Sequence, residues 1–183
     1  MQVPAKFIKL KDSTELTLRS VLPADASQML AHLKILSAES YKNLNRPTTY
    51  WTNVTDAEEE RILQKLLDSP KAFMLGAFDG SVIIGALGIF CDEGTFTQLN
   101  GKLGIGVLSK YGGQGLGSQL MSYALETARS SGLHRIELSV RTYNNAGIAL
   151  YERFGFRKVG VLQETAFIDG AFADEFLYQL IFR

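Results

Sequence analysis

Hydrophobic and polar residues alternate in short segments along this chain, and longer helical patterns separate those segments. Leu16 to Val21 alternates apolar and polar residues, which predicts a strand with one buried face. Pro23 opens a helical pattern, because proline fits the first turn of a helix. Thr55-Asp56-Ala57-Glu58 is a capping box, which predicts a second helix from about Asp56 to Leu67. Ser40 to Asn53 between them is polar, aromatic and aperiodic, so we expect a long loop or a broken helix there.

The rest of the chain alternates strand and helix patterns. Ala72 to Phe78 and Val82 to Phe90 are apolar runs joined at Asp79-Gly80, a hairpin signal. The remaining predicted elements are a strand at Gly101 to Leu108, a helix from about Gly113 to Ser130, a strand at His134 to Arg141, a helix at Asn145 to Phe154, and strands at Phe156 to Gln163 and Phe172 to Phe182. Because one helix connects the strands at 101–108 and 134–141, we expect them to be parallel neighbours with a right-handed crossover. The prediction is a single α/β domain over residues 1–183, with a mixed, mostly antiparallel sheet of about seven strands and four helices on both faces.

Composition narrows the class of protein. The 183 residues are 46% hydrophobic and carry 19 Lys and Arg against 19 Asp and Glu. A formal net charge of zero argues against a general nucleic-acid binder. Cys91 is the single cysteine, so neither an internal disulfide nor a thiolate metal cluster can form, and we expect Cys91 to be a buried small hydrophobic residue. No apolar stretch is long enough to span a bilayer and the first residues do not resemble a signal peptide, so we expect a cytoplasmic protein with no membrane or nucleic-acid partner.

The glycine-rich segment from Val107 to Ser118 is the most informative part of the sequence. A strand leads into a turn with four glycines and then directly into a long helix. That order leaves backbone N–H groups unpaired at the positive end of a helix dipole, where a phosphate or pyrophosphate binds. A P-loop is excluded because Ser118-Gln119 follows the last glycine, and a dinucleotide fingerprint is excluded by Leu120.

Two blocks resemble the GNAT superfamily of N-acetyltransferases. Tyr111 to Gly117 (YGGQGLG) is similar to its acyl-CoA-binding motif, usually written Arg/Gln-x-x-Gly-x-Gly/Ala. Val140 to Phe156 (VRTYNNAGIALYERFGF) is similar to its later motif, with Asn, then Leu-Tyr, then Gly-Phe. The resemblance is good from Val82 to Arg183, whereas Met1 to Lys71 matches only in its strand–helix–helix order. The chain departs from the family at Gly112, where the opening Arg or Gln of the motif falls.

The resemblance implies acetyl transfer from acetyl-CoA to a primary amine of a small molecule, an amino acid or a protein N-terminus, by direct attack in a ternary complex and without a metal. Ile105, Gly106 and Val107 would end a strand that splays from its neighbour and pairs with the pantetheine arm, and the N–H near Val107 would polarise the thioester carbonyl. Asn144 would bind the cofactor arm, and Tyr151 would protonate the leaving thiolate. The glycine-turn positions assigned to the cofactor are Gly112, Gly113, Gln114, Gly115, Leu116, Gly117 and Ser118, with the pyrophosphate on Gly113 to Ser118.

Alternatives remain open for each role. Tyr151 can instead be a packed core residue, and Asn144 can cap the helix that follows it, with or without a cofactor contact. Lys102 stands where the family often has an acidic general base. The remaining candidates for the base are Glu39, Asp92, Glu93, Glu137 or a chain of water molecules.

The acceptor is less clearly encoded than the acetyl donor. Tyr41, Tyr50 and Trp51 in the long loop are candidates to line the acceptor pocket or simply to pack. The block from Glu164 to Phe182 weakly resembles family members that acetylate amino acids or protein N-termini, and its apolar last strand is a candidate homodimer surface. The competing functions are transfer of a longer acyl group and a catalytically silent CoA-binding or regulatory module.

Overall fold

The computed structural model describes all residues 1–183, in eight strands and five α-helices. In chain order the elements are β1 (Lys6–Lys9), β2 (Glu15–Ser20), α1 (Ala26–Ser40), α2 (Thr48–Asn53), α3 (Asp56–Asp68), β3 (Phe73–Asp79), β4 (Val82–Cys91), β5 (Asn100–Val107), α4 (Leu116–Ser130), β6 (Arg135–Arg141), α5 (Asn145–Arg153), β7 (Arg157–Ile168) and β8 (Ala171–Ile181). Short 3-10 turns precede α1, α2 and α4. None of the helices is long and apolar enough to cross a membrane.

All eight strands form one sheet in the order β1-β2-β3-β4-β5-β6-β8-β7. Every neighbouring pair is antiparallel except β5 and β6, which are parallel and are connected through α4. This confirms the predicted α/β domain with a mixed, mostly antiparallel sheet, and it confirms the predicted parallel neighbours. The sheet has one strand more than expected because the short β1 pairs with β2.

Helices cover both faces of the sheet, as predicted. On one face α4 packs Leu116, Leu120 and Ala124 into the larger hydrophobic cluster, together with Leu87 and Leu103 of the central strands. These α4 positions recur every four residues, so they share one side of the helix. On the other face α1 and α3 bury a smaller cluster, whose members include Met29, Leu63, Phe78, Ile83 and Ala86.

Local signals located most element ends correctly. The Thr55 side chain accepts a hydrogen bond from the Glu58 N–H, and the Glu58 carboxylate accepts from the Thr55 N–H, so the predicted capping box begins α3. Ser40 to Asn53 is a broken helix: α1 ends at Ser40, a 3-10 turn follows, and α2 begins at Thr48. Of the two readings left open for this segment, the broken helix is the correct one.

Three expectations about local structure were wrong. The helix expected from about Gly113 begins at Leu116, because Gly113 and Gly115 have φ of +71° and +91° and cannot continue a right-handed helix. The strand expected to end at Gln163 continues to Ile168, past an irregularity in its pairing with β8. Cys91 was expected to be buried, but it is half-buried at the end of β4, at the margin of the larger cluster.

Candidate active site

The parallel strands β5 and β6 separate from one another, as the resemblance to the GNAT superfamily implied. They pair only from Asn100 to Lys102 on β5 and from Arg135 to Glu137 on β6. Beyond these three residue pairs, β5 continues to Val107 and β6 continues to Arg141, but the two strands no longer pair with each other. The sheet therefore has a wedge-shaped opening between its two central strands.

Backbone groups of β5 face this opening. The Leu108 N–H donates to the Ile84 carbonyl of β4 at 3.0 Å, and β4 pairs with the whole length of β5 from 101 to 107. Because backbone groups alternate sides along a strand, the N–H and C=O of Ile105 and Val107 are directed toward β6. An extended amide-bearing chain that entered the opening would meet them as a neighbouring strand would.

The glycine turn presents a continuous row of unbonded amides at the end of β5. The backbone N–H groups of residues 113–118 donate no hydrogen bond within the protein, and the first amide of α4 to do so is Gln119, which donates to the Gly115 carbonyl. Gly113 and Gly115 lie in the left-handed region, and no atom lies within 4 Å of where their Cβ would be. The six amides surround open space at the positive end of a 15-residue helix, which is a site for a large anion.

Basic side chains border the same turn. Lys11, in the turn between β1 and β2, donates from its backbone N–H to the Gln114 carbonyl at 3.4 Å, and its Nζ lies 3.5 Å from the Gly113 carbonyl oxygen. Arg153 at the end of α5 donates to the Ser118 hydroxyl at 3.2 Å. These cations add positive potential next to the amides and would favour a multiply charged anion there.

The second motif lies directly against the first. Leu150 of α5 is 3.5 Å from where a Cβ of Gly117 would be, so α5 packs on the first turn of α4. Asn144 is the N-cap of α5, and its Oδ1 accepts from the Gly147 N–H at 3.0 Å. The capping role of Asn144 is therefore confirmed, and its cofactor contact stays a prediction.

Tyr151 follows Leu150 on α5 and is buried, with 7% of its surface exposed. Its ring contacts the Phe156 and Tyr178 rings, at centroid distances of 6.0 and 6.4 Å. Burial raises the pKa of Tyr151 to about 12, so its hydroxyl is a neutral donor at physiological pH. The hydroxyl makes no hydrogen bond within the protein, and the buried polar atoms that lack partners belong to other residues. The ring packs as a core residue packs while the hydroxyl stays free to donate.

The last turn of α1 lies on the opposite face of β5 from α4. A Cβ at Gly106 would overlap Leu36 Cδ2, so glycine at this position allows α1 to approach the strand closely. Three residues later, and therefore on the same side of α1, the Glu39 Oε2 accepts from the Ser109 N–H at 2.8 Å. Of the four carboxylates considered as general bases, Glu39 is the one held at this end of β5.

The other three candidate bases have partners away from the glycine turn. Asp92 lies 3.6 Å from Lys102 Nζ, Glu137 lies 2.9 Å from Arg135, and Glu93 accepts from the Ser69 hydroxyl. Asp92 and Glu93 follow β4, at the end of β5 where β5 and β6 are paired rather than open.

A buried ion pair lies beside the opening, and sequence reasoning missed it. Arg141 ends β6 with 3% exposure and pairs with Glu175 of β8, its direct cross-strand neighbour. Arg141 also donates to Asn45 Oδ1 at 3.2 Å and to the Thr165 hydroxyl at 3.4 Å. The available signal was modest: positions 135, 137 and 141 of the strand are charged and 139 is Ser, whereas the positions between them are apolar.

The segment after α1 also reaches the tip of the β7–β8 hairpin. The Tyr41 hydroxyl and Lys42 Nζ both lie 2.8 Å from Asp169 Oδ2. Tyr50, in contrast, lines a separate surface cavity of about 530 Å³ between α2 and α3, and its ring packs edge-to-face on Trp51 at 5.0 Å. Tyr41 therefore connects the segment after α1 to this hairpin, whereas Tyr50 and Trp51 pack on each other.

The structure contains no group of three or more His, Cys, Asp or Glu side chains that could hold a metal ion. His32 of α1 is buried, and neither ring nitrogen has a hydrogen-bond partner. Burial lowers the pKa of His32 to about 4, so the ring is neutral at physiological pH.

Comparison with known proteins agrees with this geometry. Residues 38–156 match the model of the acetyltransferase (GNAT) family. The chain is 35% identical over 105 residues to the N-alpha-acetyltransferase RimI of Mycobacterium tuberculosis, a match that covers 57% of this chain and 65% of that relative. A solved acetyltransferase of the GNAT family from Streptococcus pneumoniae superposes with a TM-score of 0.87 at 31% identity, over 92% of this chain and 99% of the other. An acetyltransferase from Salmonella typhimurium, solved with its cofactor acetyl-CoA, shares the fold with a TM-score of 0.78 at 18% identity, over 91% of this chain and 93% of the other.

Proposed function

The chain belongs to the GNAT acetyltransferase family, and from that premise we propose that it transfers an acetyl group from acetyl-CoA to a primary amine by direct attack in a ternary complex. The observation that carries the proposal is the row of unbonded amides from 113 to 118 beside the opening between β5 and β6. A pyrophosphate fits the amides, and a pantetheine arm, which carries two amides of its own, fits the free edge of β5. The amides lie next to the free edge of β5, just as the pyrophosphate is next to the pantetheine arm in CoA.

The free edge of β5 has a binding role and a polarising role. The backbone groups of Ile105 and Val107 would pair with the amides of the acyl donor and fix its direction along the opening. One of these N–H groups, near Val107, would donate to the thioester carbonyl oxygen, on which negative charge develops as the amine attacks. A fixed backbone donor of this kind typically contributes about 10²–10³-fold to the rate.

Tyr151 would act when the carbon–sulfur bond breaks. A pKa of about 12 keeps the phenol protonated across the physiological range, so it can donate to the departing sulfur. Asn144 is committed through Oδ1 to the cap of α5, which leaves its side-chain NH₂ free for a contact with the arm of the donor.

Gly112 stands where the family motif usually has an Arg or Gln at the start of the turn, so any contact of that side chain with the cofactor is lost. The amides of 113–118 come from the backbone, and Lys11 and Arg153 supply charge from other elements. We propose that these two cations offset the loss at Gly112.

The acceptor is proposed only as a primary amine. The Mycobacterium tuberculosis relative is named for action on N-terminal α-amino groups, which makes short peptides with free N-termini the first acceptors to test. The purified protein would be incubated with acetyl-CoA and a panel of such peptides, free amino acids and polyamines, and the release of free thiol would be measured. We expect at least one acceptor to support turnover.

The panel also discriminates the competing functions. CoA binding without turnover on every acceptor would favour a silent binding module, and faster turnover with longer acyl-CoA donors would favour a different acyl group. Direct transfer requires no covalent enzyme intermediate, so Cys91→Ala should keep full activity. Loss of turnover in a folded Cys91→Ala protein would contradict direct transfer.

A further inference from the structure

The general base is the one role that the family motifs leave unassigned, and the structure contains a carboxylate positioned for it. We propose that Glu39 of α1 is the general base that removes a proton from the acceptor ammonium. The inference rests on the proposed acetyl transfer and names a further catalytic residue for it.

Glu39 lies next to the backbone groups of β5 that face the opening. Leu108 stays extended, with φ −60° and ψ 138°, so the Ser109 N–H continues the row of groups that includes Ile105 and Val107. Glu39 Oε2 accepts from that N–H at 2.8 Å. Because alternate residues of a strand are about 6.6 Å apart, the carboxylate lies roughly one such step from the Val107 amide. One water molecule, or the acceptor nitrogen itself, spans a gap of that size.

Glu39 also lies on the face of the sheet opposite α4. Leu36 covers Gly106 on the side of β5 away from α4, and Glu39 follows Leu36 by three residues on α1. The glycine turn and the start of α4 occupy the other side. A donor held at the glycine turn would therefore lie on the α4 side of the opening, and an amine that approaches from the α1 side would pass Glu39.

Glu39 has no cationic partner. Three other acids around the opening, Glu137, Glu175 and Asp169, lie within ion-pair distance of an Arg or Lys. Glu39 instead accepts one backbone hydrogen bond through Oε2 and is exposed to solvent. The carboxylate is thus held in place by a single bond and retains free acceptor capacity for a proton.

Proton balance gives Glu39 and Tyr151 complementary tasks. The acceptor ammonium loses two protons as its nitrogen–carbon bond forms and the carbon–sulfur bond breaks. Glu39 accepts one and releases it to solvent. The other restores the proton that Tyr151 gives to the departing sulfur, so the products are the N-acetylated amine, CoA thiol and one proton.

The test is Glu39→Gln, which retains an oxygen that can accept from the Ser109 N–H and removes only the charge. With an acceptor that the wild-type protein acetylates, we expect kcat/KM at pH 7 to fall by about 10²–10⁴-fold while the Kd for acetyl-CoA stays unchanged. The deficit should shrink as the pH approaches the pKa of the acceptor amine, because the amine then arrives already neutral. Glu60→Gln, an exposed charge change on α3, is the matched control and should leave the rate unchanged.

His32 lies on the same helix as Glu39, and the negative charge of Glu39 affects the pKa of His32. Burial lowers its pKa to about 4 and the Glu39 charge opposes that shift, so His32 is neutral between pH 6 and 9 and does not titrate in the profile. An unchanged rate and profile for Glu39→Gln would overturn the proposal, and so would a rate loss matched by an equal loss of acetyl-CoA affinity. If the wild-type protein acetylates no amine, the proposed function fails instead.

Discussion

Replacing Tyr151 by phenylalanine removes one hydroxyl and should separate catalysis from folding. The ring contacts with Phe156 and Tyr178 are kept, and the hydroxyl has no hydrogen bond in the protein to lose. We therefore expect the free energy of unfolding to change by less than about 1 kcal/mol, below the usual value of one hydrogen bond. Turnover should fall by ~10²–10⁴-fold, which is the range for loss of a general acid.

The assay combines three measurements on the same protein. Urea unfolding gives stability, titration calorimetry gives the Kd for acetyl-CoA, and thiol release gives kcat with the best acceptor from the panel. The Kd should change little, because the amides of 113–118 are intact. The loss in kcat should be smaller with acyl donors whose thiol is more acidic, since such a thiolate needs less protonation to leave.

Tyr178→Phe is the matched control within the same aromatic cluster. The Tyr178 hydroxyl donates to Glu152 Oε1 at 2.8 Å, so its removal should destabilise the fold by about 1.5–3 kcal/mol and leave kcat nearly unchanged. The two variants should thus show opposite patterns. If Tyr151→Phe keeps near-normal turnover on its acceptor, Tyr151 is only a core residue and water supplies the proton.

Three further predictions concern the turn, the cap and the buried histidine. Gly115→Ala should cost about 1–2 kcal/mol of stability, because φ is +91°, and should weaken acetyl-CoA binding, measured by urea unfolding and calorimetry. Asn144→Ala should destabilise the protein by about 0.5–2 kcal/mol through loss of the α5 cap, measured by urea unfolding. His32 has a folded pKa of about 4 against 6.5, so the unfolded state binds its proton first as the pH falls. Stability should therefore drop by roughly 3 kcal/mol between about pH 6.5 and 4, and His32→Leu should remove most of that drop in urea titrations across pH.

Each of these has a simple control. Gly117→Ala lies in regular helix beside Gly115 and should be tolerated in folding, since its Cβ would meet Leu150 only at van der Waals distance. Asn145→Ala changes an exposed neighbour of the capping residue and should have little effect. A His32→Leu protein whose stability still falls as steeply on acidification would assign the pH dependence to the carboxylates instead.

The periodicity of apolar residues correctly predicted the strands and helices that bury one face against the rest of the protein. The alternation in β2 and the stripe of α4 follow directly from packing against the sheet, so both were correct. β1 was missed because its four residues, KFIK, bury only Ile8, and its pairing with β2 rather than its own pattern makes it a strand.

The candidate site was predictable where backbone geometry determines it and unpredictable where distant elements meet. The glycines of the turn are local, so their spacing in the sequence was sufficient, whereas the splayed end of β5 was implied by the resemblance to the GNAT superfamily. The contact of Glu39 with Ser109 joins residues 70 apart, and that of Arg141 with Asn45 joins residues 96 apart. No local pattern encodes such distances, which is why Glu39 was one of four candidates and Arg141 was not considered.

The short pairing between β5 and β6 also means that the two parts of the sheet are only weakly connected through their backbones. Three residue pairs are the only backbone ladder between the five strands before the glycine turn and the three strands after it. Side chains of α4 and α5 add cohesion across this joint, and so do the contacts of Tyr41 and Lys42 with Asp169 and of Asn45 with Arg141. The two halves are therefore suited to be separate cooperative units in hydrogen exchange, with the joint opening at a lower free energy than either half unfolds. A molecule bound in the wedge would hydrogen-bond to both β5 and β6 in place of the absent strand pairing. The two halves should then show similar opening free energies in hydrogen exchange.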